Sequence, residues 1–291
     1  MILANDGATD NWLGEYAMLL ANSGGPPLAG IIVNPSQYWK DLSSSVADWN
    51  EMIKAARMSG LRNIPDATPS PASELARPAD GKIETTAPNR SEGAKLILAL
   101  SAQLSLPWRP VVVVTGSRLT DVADAYLMDP TVAERVVVVA SLGSSSATGG
   151  GAMDWPNGEL DPWADWIVGQ RFRYVQVNGY YEQQGDLPSA ADLPANEFGT
   201  WMAGKTSRLF QVPMASDQIA ILAVALPDFV TAVVRATVDT SASFDSTMGP
   251  ALLPQADGPV WMAPSCAAAM AADRLSKMLQ NPRTFAAERR K

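Results

Sequence analysis

The sequence contains no histidine and only one cysteine, Cys266, among its 291 residues. Without histidine, a Ser-His-Asp triad, a Cys-His pair and a histidine-ligated zinc or haem site are excluded. A single cysteine forms no disulfide within the chain and no multi-cysteine zinc or iron-sulfur site. Catalysis and metal binding are therefore left to carboxylates, Lys, Tyr, hydroxyls and other oxygen donors.

Positive charge and long apolar runs are also scarce. The chain has 22 Lys and Arg against 30 Asp and Glu, a formal net charge of −8. This charge disfavours nonspecific binding to nucleic acid and to anionic membranes. No apolar run approaches about 20 residues, so we expect a soluble protein that does not span a membrane. The compartment stays open between the cytoplasm and, if an upstream signal peptide was removed, the periplasm or the exterior.

Strand-like and helix-like segments alternate along the chain. The apolar, β-branched runs at residues 111–114 and 136–140 are typical of parallel strands buried on both faces. Repeated βα units of this kind predict an α/β fold with a mostly parallel central sheet flanked by helices. We expect a single domain that covers residues 1–291. Helical spacing predicts helices over residues 46–59, 91–104, 118–127, 161–170, 217–226 and 263–279.

Two segments between these elements are predicted to be irregular. Residues 65–90 are rich in Pro, Ser, Thr and charge, and we expect a long loop over the functional site. Residues 141–157 are rich in Gly and Ser but lack the phosphate-loop pattern, which favours a flexible loop over a phosphate cradle. Trp155 in this loop is a candidate for stacking on a base or sugar, whereas Trp163 and Trp166 have the helical spacing of core residues.

Oxygen-bearing side chains follow the first predicted strand. Asp6, Asp10 and Asn11 lie in the turn between that strand and a helix that begins near Trp12. In an open α/β sheet, ligands bind at the carboxyl edge of the strands, where helix N-termini also point. Such side chains bind Ca²⁺, Mg²⁺ or sugar hydroxyls. The turn alone leaves a second interpretation open, in which Asp10 or Asn11 only caps the helix.

Four segments carry recognisable motifs in a fixed order. Residues 4–11 are similar to Asp-x-Asp-Pro-Gly-x-Asp-Asp after a strand, and residues 112–123 to a strand followed by Thr-Gly-Pro-Leu-Thr-Asn-x-Ala. Residues 157–162 are similar to Asn-x-x-x-Asp-Pro, and residues 216–220 to His-Asp-x-x-Ala. Each motif is weak alone, but together they resemble the calcium-dependent nucleoside hydrolases of the inosine-uridine type.

The resemblance implies a calcium-dependent hydrolase of the N-glycosidic bond of ribonucleosides that releases ribose and base. Asp6 matches the family position whose carboxylate binds calcium and also activates the attacking water. Asn11, the Thr115 carbonyl and Asp217 fall on the remaining calcium ligands. The resemblance also implies a small-molecule substrate, no nucleic-acid or membrane partner, and a homo-oligomer.

Two further residues fall on ribose ligands, and three positions depart from the family pattern. Asp10 and Asn157 match residues that hold ribose hydroxyls. Ala4 replaces the first aspartate, Asn11 replaces a charged calcium ligand, and Ser216 replaces a histidine that protonates the leaving base in some members. Because calcium affinity depends on ligand charge, we expect weaker binding than in a member with the full motif.

Two alternatives stay open: a weak or inactive relative that binds a ribosyl or other sugar ligand, and a hydrolase of a different glycoside.

Overall fold

The computed structural model describes residues 1–9, 12–146, 150–154, 157–177, 193–206, 217–226, 229–266, 273 and 276–280. The strands are β1 (Ile2–Asn5), β2 (Gly30–Val33), β3 (Ala67–Pro69), β4 (Val111–Thr115), β5 (Val136–Ser141), β6 (Ser144–Ser145), β7 (Gly151–Ala152), β8 (Arg173–Val177), β9 (Val230–Val238), β10 (Ala251–Pro254) and β11 (Val260–Cys266). The α-helices are α1 (Leu13–Asn22), α2 (Leu42–Met58), α3 (Glu92–Leu104), α4 (Thr120–Met128), α5 (Val132–Arg135), α6 (Pro162–Arg171), α7 (Glu197–Thr206) and α8 (Gln218–Ala225). None of the described helices is long and apolar enough to cross a bilayer.

The strands form one 11-stranded sheet in the order β3-β2-β1-β4-β5-β8-β11-β9-β10-β7-β6. From β3 to β11 each strand is parallel to its neighbour. From β11 to β6 the neighbours are antiparallel. The predicted α/β fold with a mostly parallel sheet and flanking helices is thereby confirmed.

The chain order reverses between β1 and β4. From β1 the chain continues to β2 and β3 on one side, whereas β4, β5 and β8 follow on the other side. Helices leave opposite faces of the sheet at such a reversal, which opens a crevice at the carboxyl ends of the two strands. The turns after β1 and β4 therefore border the position where this fold class binds its ligands.

Helices cover both faces of the parallel strands. Leu3 and Val114 face one hydrophobic cluster, which contains α1, α2, α7 and α8. Ile2 and Val113, one residue earlier on the same strands, face a second cluster built on α3, α4 and α6. Because alternate residues of a strand point to opposite faces, a strand buried on both faces needs an unbroken apolar run. This explains the valine runs of β4 and β5.

Several predicted helices begin at identifiable caps. Asp41 accepts hydrogen bonds from the backbone N–H of Ser43 and Ser44 at the start of α2. Ser91 accepts one from the N–H of Ala94 in α3. Each cap satisfies backbone donors that the first helical turn leaves without an intrahelical partner. The helices predicted over residues 46–59 and 91–104 are confirmed, the first beginning four residues earlier.

The prediction of a closing helix over residues 263–279 is wrong at its beginning. Residues 260–266 form β11, which pairs with β8 and β9, and Cys266 ends this strand. Residues 276–280 are helical. Pairing with distant strands overrides the helical preference of the local Ala-rich sequence. The loop predicted over residues 141–157 also contains the short antiparallel strands β6 and β7.

Candidate functional site

The site is built where β1 and β4 end side by side. Ala4 of β1 pairs with Thr115 of β4, so the chain segments after both strands emerge at the same edge. Asp6 follows β1 and is 1% exposed, and Thr115 is fully buried. This edge therefore brings the predicted base next to the strand end whose carbonyl was predicted to bind calcium.

The Asp6 carboxylate is oriented by its own turn. The Gly7 N–H donates to Asp6 Oδ1 at 2.7 Å. The Asn5 side-chain amide donates to the Gly7 carbonyl at 3.2 Å, and Trp49 Nε1 donates to the Asp6 carbonyl at 3.3 Å. A Cβ atom on Gly7 would lie 2.2 Å from the ring of Trp39, so the turn requires glycine there. These contacts hold the carboxylate at the sheet edge.

Asp217 comes to the same edge from the beginning of α8, which packs with α1 on one face of the sheet. It precedes α8 and is 3% exposed. A Cβ atom on Gly116 would lie 2.7 Å from Asp217 Cβ and Cγ and 2.8 Å from Leu13 Cδ2. Asp217, the segment after β4 and the first turn of α1 are therefore in close contact.

Asn157 joins this group through its amide. Its Nδ2 donates to the Ser141 carbonyl at 2.8 Å and to Asp217 Oδ1 at 3.3 Å. Ser141 is the last residue of β5, so Asn157 lies at the carboxyl edge of the sheet as well. The structure thus brings Thr115, Asn157 and Asp217 together beside Asp6.

Four other predicted positions, Asp10, Asn11, Trp155 and Ser216, lie outside the described residues, and their roles stay predictions. The alternative in which Asp10 or Asn11 caps α1 also lies outside the described residues and stays a prediction. The N-cap of α1 is Trp12, with a φ of 55°, and its side chain makes no capping hydrogen bond. The left-handed backbone at Trp12 marks the beginning of α1.

Sequence reasoning missed a buried cation beside Asp6. Arg118, three residues after Thr115, is 7% exposed and donates through Nη2 to the Ala72 carbonyl. Burial lowers the pKa of this guanidinium, whereas the nearby carboxylates raise it, in order Asp121, Asp161, Glu74 and Asp6. Its position just after a central strand, at the carboxyl edge, was the signal that could have identified it.

Buried carboxylates fasten the segment over residues 70–91 to this edge. Asp121 accepts hydrogen bonds from Ser70 Oγ at 2.6 Å and from Asn34 Nδ2 at 3.2 Å. Asp161 accepts one from the Leu75 N–H at 3.0 Å, and burial raises its pKa to about 6. The loop predicted over residues 65–90 is irregular apart from β3 and a 3₁₀ turn, and side chains of α4 and of the α6 cap anchor it.

The same architecture occurs in solved structures of nucleoside hydrolases. An inosine-guanosine nucleoside hydrolase superposes with a TM-score of 0.69 at 16% identity, covering 96% of this chain and 98% of that chain. A purine-preferring ribonucleoside hydrolase from Gardnerella vaginalis gives 0.64 at 12% identity, covering 98% and 99%. A plant nucleoside hydrolase gives 0.64 at 15%, covering 97% and 99%. The chain has the nucleoside hydrolase fold.

This finding confirms the fold that the sequence resemblance implied. No protein-family model and no curated protein sequence matches the chain. The likeness therefore consists of the three-dimensional arrangement at low sequence identity. It agrees with the description of the chain as a divergent relative, in which motif positions such as residues 4 and 11 differ.

The described donors of this nucleoside hydrolase fold suit a hard cation. Asp6 and Asp217 are carboxylates buried almost completely, and buried carboxylates favour a nearby positive charge. Among the described residues, no group of three or more Asp, Glu or Cys side chains forms a complete metal site. A calcium site here would require the Thr115 carbonyl and Asn11, which lies outside the described residues, as its remaining ligands from the chain.

Proposed function

We propose that the protein is a calcium-dependent hydrolase of the N-glycosidic bond of ribonucleosides, which releases ribose and base. The observation that carries the proposal is the meeting of Asp6, Thr115, Asn157 and Asp217 at the strand-order reversal of a nucleoside hydrolase fold. The solved proteins of similar fold are named for hydrolysis of inosine, guanosine or purine ribonucleosides.

Cleavage of an N-glycosidic bond passes through an oxocarbenium-like transition state. Positive charge then develops on the ribose, and carboxylates around the sugar stabilise it. Asp6, buried and oriented by the Gly7 N–H, is placed to accept the proton of the attacking water. Calcium, when bound, would fix the sugar hydroxyls and polarise that water.

Asn157 is suited to bind ribose through one particular atom. Its Nδ2 group already donates to the Ser141 carbonyl and to Asp217 Oδ1. The side-chain carbonyl Oδ1 is then the atom that accepts a hydrogen bond from a sugar hydroxyl. Asp10 would bind ribose hydroxyls beside it, and Trp155 would stack on the base or sugar.

A second candidate function rests on two sequence replacements. Asn11 removes a charge from the proposed metal site, and Ser216 removes the acid that some family members use. A relative with these changes that binds a ribosyl or other sugar ligand, with little or no hydrolysis, is the alternative. A hydrolase of a different glycoside is a third possibility, because residues 65–90 match no family pattern.

Hydrolysis of p-nitrophenyl riboside separates these functions. The assay compares calcium with a chelator for the wild type, for Asp6→Asn and for Asp66→Asn. Asp66 is the matched control, because its side chain is 86% exposed and pairs with Arg57 at the surface. We expect calcium-dependent turnover that Asp6→Asn abolishes and Asp66→Asn preserves.

Three results would contradict the proposal. Ribose binding by calorimetry without turnover of the riboside or of any nucleoside would favour the binding relative. Turnover that survives both the chelator and Asp6→Asn would place the chemistry elsewhere. Cleavage of other glycosides alone would favour the third function.

A further inference from the structure

Asp165 is a buried carboxyl group that the proposed reaction does not use. It lies in the first turn of α6 and is completely inaccessible to solvent. Neither of its carboxyl oxygens has a hydrogen-bond partner in the described part of the chain. Leaving a buried carboxylate without donors is costly, so this position requires an explanation.

The group that faces Asp165 is a backbone carbonyl. A Cβ atom on Gly249 would lie 1.6 Å from the Met153 carbonyl oxygen and 2.8 Å from Asp165 Oδ2. A Cβ atom on Gly158 would lie 2.1 Å and 3.2 Å from the same two oxygens. The two oxygens are therefore neighbours in a space that only glycines leave open. Two acceptors at such a place repel unless one of them carries a proton.

The surroundings of Asp165 favour its protonated form. Burial raises the pKa of Asp165 well above its usual value, and the Asp161 carboxylate of the same helix raises it further. From β8, the buried Tyr174 faces it, and that phenol donates to Gln176 Oε1 at 3.3 Å. Hydrogen bonding to Met153 would satisfy both the acid and the carbonyl.

The Met153 carbonyl packs against Gly158, the residue that follows the proposed ribose ligand Asn157. The Met153 N–H donates to the Pro250 carbonyl at 2.9 Å, and the Gly158 N–H donates to the Asp154 carbonyl at 2.7 Å. Met153 lies four residues before Asn157, and Gly158 follows Asn157 directly. A shift of the Met153 carbonyl would therefore move Asn157 away from Asp217.

We propose that Asp165 is a neutral acid that donates a hydrogen bond to the Met153 carbonyl and thereby positions Asn157 against Ser141 and Asp217. It is a positioning residue, because it acts on the sugar only through Asn157. The importance of the Asn157 position for ribose binding rests on the proposed function. The protonation of Asp165 and its contact with the Met153 carbonyl do not.

Two variants of similar size test the proposal. Asp165→Asn keeps a neutral donor for the Met153 carbonyl, and Asp165→Leu removes it. Infrared difference spectra at pH 7 between the wild type and Asp165→Asn are expected to show the loss of one protonated carboxyl band. Crystal structures are expected to keep the contact between Asn157 and Asp217 in Asp165→Asn and to lose it in Asp165→Leu.

Kinetics add a readout that a merely structural role would not change. With the riboside as substrate, we expect Asp165→Leu to raise KM about tenfold with a smaller change in kcat, and Asp165→Asn to restore the wild-type KM. Absence of the protonated carboxyl band, or an unmoved Asn157 in Asp165→Leu, would overturn the proposal. If the wild type turns over no riboside, the proposed function fails, and the spectra and crystal structures still decide the role of Asp165.

Discussion

Buried carboxylates occur in two settings in this protein. At the crevice, Asp6 and Asp217 lie at the ends of elements that converge where the strand order reverses. In the helices beside it, Asp121 of α4 accepts hydrogen bonds from Ser70 and Asn34, and Glu15 in the first turn of α1 has no hydrogen-bond partner among the described residues. Carboxylates with similar burial therefore have different roles, in the proposed reaction or in holding the structure together. The partners of each carboxylate show which role it has.

The largest expected effect concerns the chemistry of the crevice. Its carboxylates act on the sugar, and Ser216 offers no acid for the leaving base. We expect kcat/KM for p-nitrophenyl riboside, whose phenolate leaves without a proton, to exceed that for inosine or uridine by about 10²–10⁴-fold. Steady-state kinetics on the three substrates measure this ratio. Equal values would mean that another residue of the chain protonates the base.

The next effect concerns a carboxylate outside the crevice. Asp121→Ala removes the acceptor of Ser70 and Asn34 and the carboxylate that most favours the charged form of Arg118. Because this leaves two buried donors unpaired and removes the largest compensation of the buried guanidinium, we expect the free energy of unfolding to fall by about 3–5 kcal/mol. Urea denaturation measures it, with Asp66→Ala as the exposed control. A loss no larger than that of the control would show that the network contributes little.

Glu15→Gln is expected to act in the opposite direction. Burial raises the pKa of Glu15 to about 8 in the folded protein, from 4.5. Between these values the folded state binds one more proton than the unfolded state, so stability falls as pH rises. The variant lacks this loss, and we expect it to be more stable than the wild type by about 1–3 kcal/mol at pH 8.

Thermal or urea unfolding of Glu15→Gln between pH 5 and pH 8 tests the sign. The advantage of the variant should shrink as pH falls towards the unfolded pKa. Glu134→Gln is the control, because Glu134 is exposed and its substitution should leave the pH dependence unchanged. A wild type whose stability does not change across this range would contradict a buried, proton-binding Glu15.

The smallest expected effect restores a charge to the crevice. If Asn11 binds calcium through a neutral oxygen, Asn11→Asp should tighten calcium binding roughly tenfold. Calorimetric titration measures it, and Asn50→Asp adds the same charge on the exposed side of α2 as a control. Equal calcium affinity in wild type and Asn11→Asp would remove Asn11 from the metal site.

The sequence predicted the parallel part of the sheet better than its antiparallel extension. Strands such as β4 carry apolar runs that indicate burial on both faces. Trp163 was correctly predicted in the core. Neither β9 nor β11 was predicted, because their pairing depends on partners far away in the chain. Local propensity gives no information about such partners.

In the candidate site too, the residues were predictable from the sequence, whereas contacts between distant segments were not. Asp6, Thr115, Asn157 and Asp217 were predicted from motif resemblance, and the structure brings them to one edge. The bond between Asn157 and Asp217 and the contact between Arg118 and the Ala72 carbonyl were not predictable. Such contacts join segments that lie far apart in sequence, and only the fold determines their geometry.

Calcium binding tests the central claim most directly. Isothermal titration of the metal-stripped wild type with calcium, up to about 1 mM, is compared with Asp217→Ala and with Asp239→Ala, whose carboxylate bonds only to its own exposed turn in the described structure. The account predicts one calcium ion per chain in the wild type and in Asp239→Ala, and its loss in Asp217→Ala. No binding by the wild type, or equal binding by Asp217→Ala, would contradict it.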